Sequence, residues 1–152
     1  MTLAKVLEAI PHRPPFLWVD RIVEQEEGRI VTRKRVDPDE PCLRGHYPTF
    51  PLLPGVLVLE AIFQTGALLL AARASEELAA GKLPVLVRAR DARWKRMVRP
   101  GEELEVEVRL VDALGGAFKL SGEARVGAEV AATCEFMVAL AAGPAGQVEH
   151  AG

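Results

Sequence analysis

Two side chains that transfer protons readily stand on either side of a proline-rich stretch of this sequence. His46 precedes the stretch, and Glu60 lies inside an apolar run after it, with thirteen residues between the two. A histidine and a carboxylic acid that share a site form a general base and a general acid. The stretch has a proline at every third position from Pro48 to Pro54, which stiffens it.

The apolar run around Glu60 predicts a helix. Pro54 suits the first helical position, where a missing N–H costs nothing, and we expect the helix to reach Leu70, or even Leu78, before Gly81. Its first two turns have almost no polar residue, so the helix should be buried on all sides. An ionised carboxylate is costly in such a place unless it has a partner, which favours a protonated Glu60. Alternatively, Glu60 reaches solvent or pairs with an arginine of the sheet.

The start of this helix predicts a site for a developing oxyanion. The N–H groups of Gly55 and Val56 lack acceptors within the helix, and the helix dipole is positive there. Gly55 also lets a substrate approach the backbone closely. Gln64 lies one turn after Glu60 on the same face, within hydrogen-bonding reach of its carboxyl group and of a substrate. A base, an acid and an oxyanion site suit proton abstraction beside a carbonyl, followed by loss of a leaving group.

The other reactive side chains have simpler interpretations. His12 lies between prolines in PHRPPF, where we expect it to fix a loop by hydrogen bonding, and His150 lies in a small-residue tail. Cys42 stands four residues before His46, so a Cys–His nucleophile is conceivable. A small buried thiol is the simpler interpretation.

The composition excludes several classes of function. A net charge of −2 over 152 residues argues against a general nucleic-acid binder. Two cysteines do not make a disulfide framework and suit a reducing cytoplasm. We expect no signal peptide, because MTLAKVLEAI lacks a basic segment followed by an apolar block and a cleavage site. We expect no membrane span, because no run of about 18 apolar residues lacks a polar break.

The rest of the chain predicts an α+β fold of one domain, residues 1–142, with a flexible tail over 143–152. We expect a short helix over 3–10, with Thr2 as its N-cap. The predicted strands cover 16–25, 28–36, 84–98, 102–112, 116–127 and 129–140. Short turns between the last four predict an antiparallel meander wrapped around the helix. The free edges of such a sheet favour pairing with a second copy.

Three blocks of the chain resemble the signatures of bacterial (3R)-hydroxyacyl-[acyl carrier protein] dehydratases. They are PHRPPFLWVDRI (11–22), GHYPTFPLLPGVLVLEAIFQ (45–64) and ARWKRMVRPGEEL (92–104). The resemblance implies the hot-dog fold, an antiparallel sheet of about six strands around one long buried helix. It also implies that His46 is the catalytic histidine and Glu60 the catalytic acid. A glutamate at this position marks the type that dehydrates without isomerising its product.

The reaction implied by the resemblance removes water from a (3R)-3-hydroxyacyl thioester in fatty acid biosynthesis. His46 would take the proton beside the carbonyl, Glu60 would protonate the departing hydroxyl, and the Gly55 N–H would polarise the carbonyl. No metal or redox cofactor is needed. In the family the histidine and the acid meet across a dimer interface, and dimers often form hexamers.

A dense basic cluster precedes and enters the third block. Its docking candidates are Arg88, Arg90, Arg93 and Lys95, followed by Arg96 and Arg99. The cluster could bind an acidic acyl carrier protein or the phosphate of its pantetheine arm. Alternatively, it is a solvated strand face that pairs with Glu103, Glu105 and Glu107 on a neighbouring strand.

Three other functions remain open at this point. They are a hot-dog thioesterase, a hydratase or dehydratase for coenzyme A thioesters, and a non-catalytic acyl-binding module. The spacing of His46 and Glu60 argues against the thioesterase, and the presence of both argues against the inactive module. In the segment VLVRARDARW (85–94), Val85 and Leu86 are not aromatic, whereas an aromatic residue here often gates the acyl tunnel in the family. The non-catalytic module therefore stays an alternative.

Overall fold

Six antiparallel strands and one long helix make up the architecture, as predicted. The computed structural model describes residues 1–143, so His150 and all but the first residue of the predicted tail lie outside the described residues. The helices are α1 (Leu3–Ala9), a 3-10 turn (Pro41–Arg44), α2 (Gly55–Arg73) and α3 (Ser75–Ala79). The strands are β1 (Arg21–Glu26), β2 (Arg29–Arg35), β3 (Lys82–Trp94), β4 (Glu103–Leu114), β5 (Ala117–Val126) and β6 (Glu129–Ala142).

Alternation of apolar residues decides which face of the sheet α2 covers. Every second residue is buried along the centres of β4, β5 and β6, as expected for strands with one face in the core. The helix lies very close to this face. A Cβ on Gly66 would be 2.7 Å from the ring of Phe136, and a Cβ on Gly122 would overlap Cγ2 of Ile62. Glycine at these two positions therefore permits the observed helix–sheet distance.

The strand order differs from the predicted meander. The order is β1-β2-β4-β5-β6-β3, so β4, β5 and β6 form a meander, whereas β3 pairs with β6 at the edge. The meander prediction was wrong for β3 because the segment 95–102 does not form a tight turn. It crosses the end of the sheet instead.

Backbone hydrogen bonds hold the crossing segment along its whole length. Its first residue bonds to β6, its middle bonds to the residue before Pro54, and its end bonds to the residue after β2. These bonds are Lys95 N to Ala131 O (2.8 Å), Leu53 N to Val98 O (2.8 Å) and Val36 N to Glu102 O (2.9 Å). Arg96 also donates two 2.8 Å hydrogen bonds to Glu102, which lowers the pKa of Glu102 to about 2.

Several predicted boundaries also need correction. The strand predicted over 16–25 begins only at Arg21, because Phe16 and Trp18 bond to the side chain of Gln64 instead of a strand. The long helix ends at Arg73, and α3 is a separate helix. Thr2 does occupy the N-cap position of α1, although its side chain makes no capping hydrogen bond.

The central helix is not buried on all sides, which corrects a second prediction. The side of α2 that faces the sheet is buried, but Val56 in its first turn is 69% exposed. One sheet covers one side of a helix, and no described element covers Val56. By length and composition alone α2 would pass as a membrane span, yet more than half of its most apolar stretch lies inside the fold.

The close approach of α2 to the sheet leads to a stability prediction. Gly122→Ala should lower the free energy of unfolding by about 1–3 kcal/mol, because the added methyl overpacks against Ile62. Gly45→Ala is the matched control, since nothing lies within 4 Å of its Cβ position. Urea unfolding measures both, and equal midpoints for the two variants would contradict the close approach.

Candidate active site

Residues 46–53 form a closed loop, the strap, which fixes His46 at its start. The N–H of Leu52 donates to His46 O at 2.9 Å, and inside this pair Tyr47 and Phe50 exchange hydrogen bonds of 3.0 and 3.1 Å. The next residue, Leu53, is bound to the crossing segment and leads directly into α2. The strap therefore connects the histidine rigidly to the start of the helix.

A hydrogen bond within the strap sets the tautomer of His46. Its Nδ1 lies 2.9 Å from Leu52 O. Because a carbonyl oxygen only accepts, Nδ1 must carry the proton, and Nε2 of the neutral ring is then unprotonated. His46 is therefore arranged to act as a base through Nε2.

The first turn of α2 has the free N–H groups that the sequence predicts. Leu57 and Val58 donate to Pro54 O at 2.9 and 3.2 Å. Among the described residues, the N–H groups of Gly55 and Val56 have no acceptor. These two donors are available to a carbonyl oxygen.

The sequence analysis missed a side chain that contacts this turn. Nε1 of Trp94 donates to Gly55 O at 2.9 Å, and a Cβ on Gly55 would lie 2.7 Å from the same nitrogen. Glycine is therefore needed here to admit the indole, in addition to any role in substrate approach. The only signal in the sequence was an aromatic residue within the third block.

Glu60 lies at a partly open position. Its side chain is 22% exposed, which corrects the expectation of a fully apolar environment. Its Oε1 accepts a 3.0 Å hydrogen bond from Nε2 of Gln64, as the helical spacing predicts. His12 Nε2 lies 3.7 Å from the same oxygen, so His12 contacts the candidate acid. In the described part of the chain no arginine pairs with Glu60.

Gln64 connects the candidate acid to the first sequence block. It is 1% exposed. Its Oε1 accepts from Trp18 N at 2.8 Å, and its Nε2 donates to Phe16 O at 3.0 Å as well as to Glu60. Both N–H bonds of the amide are used inside the chain, so Gln64 positions Glu60 in this structure rather than facing a substrate.

The candidate base and acid are held by different parts of one copy of the chain. His46 is bound by the strap, and Glu60 is bound by Gln64. Within residues 1–143 no hydrogen bond or ion pair joins these two side chains. A single chain therefore contains both side chains, but they do not contact each other through a hydrogen bond or an ion pair.

Cys42 does not form the Cys–His pair considered above. Its thiol makes no hydrogen bond to His46 in the described chain, since the histidine bonds to Leu52. Burial raises the pKa of the Cys42 thiol, and the nearby Glu40 carboxylate adds to the effect. The thiolate is thereby disfavoured, and a packing role fits this residue.

The basic cluster occupies an edge strand, with three of its arginines on the same face. Arg88, Arg90 and Arg93 pair with Met137, Glu135 and Thr133, which alternate with the buried residues of β6. Since paired residues point to the same side of a sheet, these arginines lie on the face opposite α2. Lys95 follows the strand, beside Arg93 in a shallow pocket that also includes Asp91 and Glu123.

The alternative partners proposed for this cluster were wrong. Glu103, Glu105 and Glu107 lie on β4 and pair with arginines of β1, β2 and β4. The reason is the strand order, because β4 neighbours β2 and not β3. The docking candidates therefore form no ion pair with those three glutamates in the described part of the chain.

The buried amide leads to a prediction about local protection. Gln64→Leu leaves the Trp18 N–H and the Phe16 carbonyl without their partner, at a cost of about 1–3 kcal/mol for the buried Trp18 N–H. Thr65→Val is the matched control, since Thr65 is also buried and hydrogen-bonded, to Ala61 O and to a threonine of β2, but does not touch Glu60.

Hydrogen exchange of the Trp18 amide measures this effect. We expect its protection to fall in Gln64→Leu by more than the loss of global stability explains. In Thr65→Val the protection of the Trp18 amide should fall only as much as the global stability of the protein falls. Equal exchange in the two variants would show that Gln64 does not hold the first block.

Comparisons with known proteins agree with this architecture. The family model for the FabA-like domain matches residues 10–135. The chain is 44% identical over 137 residues to the 3-hydroxyacyl-[acyl-carrier-protein] dehydratase FabZ of Anaeromyxobacter dehalogenans strain 2CP-C, covering 90% of this chain and 88% of the relative. It is 43% identical over 141 residues to FabZ of Oceanobacillus iheyensis, covering 92% and 99%.

A solved structure supports the fold alone. The dehydratase heterocomplex ApeI:P from Xenorhabdus doucetiae superimposes with a TM-score of 0.74 at 18% identity, and the match covers 90% of each chain. The predicted hot-dog fold is thereby confirmed. With this fold, the FabA-like match and relatives above 40% identity over nearly their whole length, the chain belongs to the FabZ family of 3-hydroxyacyl-[acyl-carrier-protein] dehydratases.

Proposed function

We propose that this chain dehydrates (3R)-3-hydroxyacyl-[acyl carrier protein] to the trans-2-enoyl thioester in fatty acid biosynthesis. The observation that carries the proposal is the tautomer of His46, which leaves Nε2 as a base near a helix start with free N–H groups. The names of the relatives support the same reaction and carrier. We also place the enzyme in the cytoplasm, consistent with two free cysteines.

The reaction begins with removal of a proton. Nε2 of His46 takes the proton from the carbon next to the thioester carbonyl, and the electron pair of the C–H bond moves towards the carbonyl oxygen. The N–H groups of Gly55 and Val56 stabilise the negative charge on that oxygen. Their position at a helix start keeps them oriented before the substrate arrives.

Loss of water completes the reaction. The electron pair returns to form the carbon–carbon double bond while the C–O bond of the neighbouring carbon breaks. Glu60 gives its proton to the departing hydroxyl, which leaves as water. Gln64 and His12 hold the Glu60 carboxyl group in place, and proton exchange with solvent resets His46 and Glu60 for the next turnover.

A homodimer completes the site in this proposal. The outer edge of β3 pairs with no strand among the described residues, although its apolar residues are 39–55% exposed: Leu83, Val85, Leu86 and Val87. A long apolar edge favours pairing with a second copy. Pairing through β3 would bring His46 of one protomer to Glu60 of its partner. Association of three such dimers would give the hexamer that the resemblance implies.

The acyl carrier protein docks on the basic cluster. Arg88, Arg90, Arg93 and Lys95 lie at one edge of the sheet and are not paired with the glutamates of β4. A concentrated positive charge attracts an acidic carrier and speeds encounter. A coenzyme A thioester lacks the protein surface of the carrier, so this cluster would favour the protein-bound substrate.

The catalytic assignment is tested by removing each group. His46→Ala and Glu60→Gln should each lower turnover by about 10²–10⁴-fold, because each loses one proton-transfer group. Turnover is measured by mass spectrometry with 3-hydroxyacyl thioesters of several chain lengths on acyl carrier protein and on coenzyme A. Circular dichroism controls for folding. Normal turnover by either variant would overturn the assignment, and release of the free acid would indicate a thioesterase.

Mixing these two inactive variants tests the shared site. A mixed dimer has one site with both groups intact, so subunit exchange should restore part of the activity. Isotope-labelled subunits and native mass spectrometry confirm that exchange has occurred. Complete exchange without recovery would place both groups of one site in the same subunit.

The docking surface is tested by charge reversal at Arg90. Arg90→Glu should raise KM for the carrier-bound substrate about fivefold, equivalent to about 1 kcal/mol for an exposed charge pair. It should also flatten the dependence of the rate on salt. Arg109→Glu is the control, because Arg109 is exposed on β4, which β5 and β6 separate from β3. Equal effects of the two variants would exclude a specific docking role for Arg90.

A further inference from the structure

The indole of Trp94 contacts the peptide group that presents one of the proposed oxyanion donors. Nε1 of Trp94 donates to Gly55 O at 2.9 Å. Gly55 O and the Val56 N–H belong to the same planar peptide unit. A hydrogen bond to the oxygen of a peptide fixes its plane and polarises its N–H. The indole therefore acts on a donor that it does not touch.

A bulge in β3 directs Trp94 towards the helix. Between Arg90 and Arg93 the strand advances three residues while β6 advances two, from Glu135 to Thr133. The extra residue places Trp94 opposite Ala132, which lies on the buried, helix-facing side of β6. In an unbroken register Trp94 would point to the opposite face of the sheet.

The backbone at this bulge adopts a conformation that few residues accept. Asp91 has φ of 50°, in the left-handed region where aspartate is tolerated better than most side chains. Bulges that re-aim a side chain occur preferentially next to functional sites. The bulge and the conformation of Asp91 are thus an observation separate from the hydrogen bond.

Packing alone does not account for the position of the indole. Within one copy of the chain Trp94 is 51% exposed, so contacts inside the chain bury much less of its apolar surface than that of a core tryptophan. Its hydrogen bond ends on the first residue of α2, at a place where any Cβ would collide with the ring. The contact is therefore specific to glycine at this position.

We propose that Trp94 is a positioning residue that orients and polarises the Gly55–Val56 peptide, so that the Val56 N–H stabilises the oxyanion more strongly. This role rests on the proposed dehydration. In this role Trp94 acts through the backbone, by its hydrogen bond to Gly55 O, and not on the reacting atoms.

The decisive variant is Trp94→Phe, which keeps an aromatic ring but removes the N–H donor together with part of the indole. We expect kcat to fall about tenfold, less than the 10²–10³-fold typical for loss of an oxyanion donor itself, with KM unchanged. In ¹H–¹⁵N spectra of the unliganded protein, the Val56 amide proton should move upfield as its peptide loses polarisation. Trp94→Leu should give the same shift and the same fall in kcat, and its unfolding midpoint controls for lost packing.

Three results would overturn this role. They are an unchanged kcat in Trp94→Phe, an unchanged Val56 amide resonance, or a loss of kcat that matches only a loss of folded protein. The amide resonance requires no turnover, so it tests the contact even if the dehydration assignment fails. Full activity of His46→Ala would instead overturn the proposed function and leave the amide result standing.

Discussion

One buried amide organises the region on which the site depends. The side chain of Gln64 bonds to the backbone of Phe16 and Trp18 and to the carboxyl group of Glu60. Buried polar groups are costly when unpaired, so these partners must move together. The bonds keep the backbone of Phe16 and Trp18 out of the sheet, and they bring the first block, with His12, against α2. Glu60 is therefore held in place because the neighbouring Gln64 amide is itself fixed by its hydrogen bonds to Phe16 and Trp18.

The crossing segment 95–102 has an equally wide influence. By passing over the end of the sheet, it places β3 at the edge and β4 beside β2. The glutamates of β4 therefore form ion pairs with arginines of β1 and β2. The basic residues of β3 form no ion pair with those glutamates and are available for a partner. It also anchors the strap through Leu53 and Val98. The position of His46 and the exposure of the basic cluster thus have a common structural origin.

The bulges of β3 separate two roles along one strand. Arg88, Arg90 and Arg93 lie on the outer face, whereas Trp94 lies on the face towards α2. If β3 continued regularly from Arg90, Arg93 would lie on the inner face and Trp94 on the outer one. The proposed carrier recognition and the proposed support of the oxyanion site are therefore compatible in a single edge strand only because an extra residue between Arg90 and Arg93 interrupts its register.

The sequence by itself determined the long helix, its free N–H groups and the Glu60–Gln64 contact, since these follow from proline placement and helical spacing. It also singled out His46, whose catalytic role stays a prediction. The FabZ blocks determined the family. Only the tertiary structure decided the edge position of β3, the partners of the glutamates on β4, the contact of His12 with Glu60 and the contact of Trp94 with Gly55. These depend on strand order and on bulges, which arise from hydrogen bonds between residues far apart in the chain. Local periodicity carries no information about such pairings.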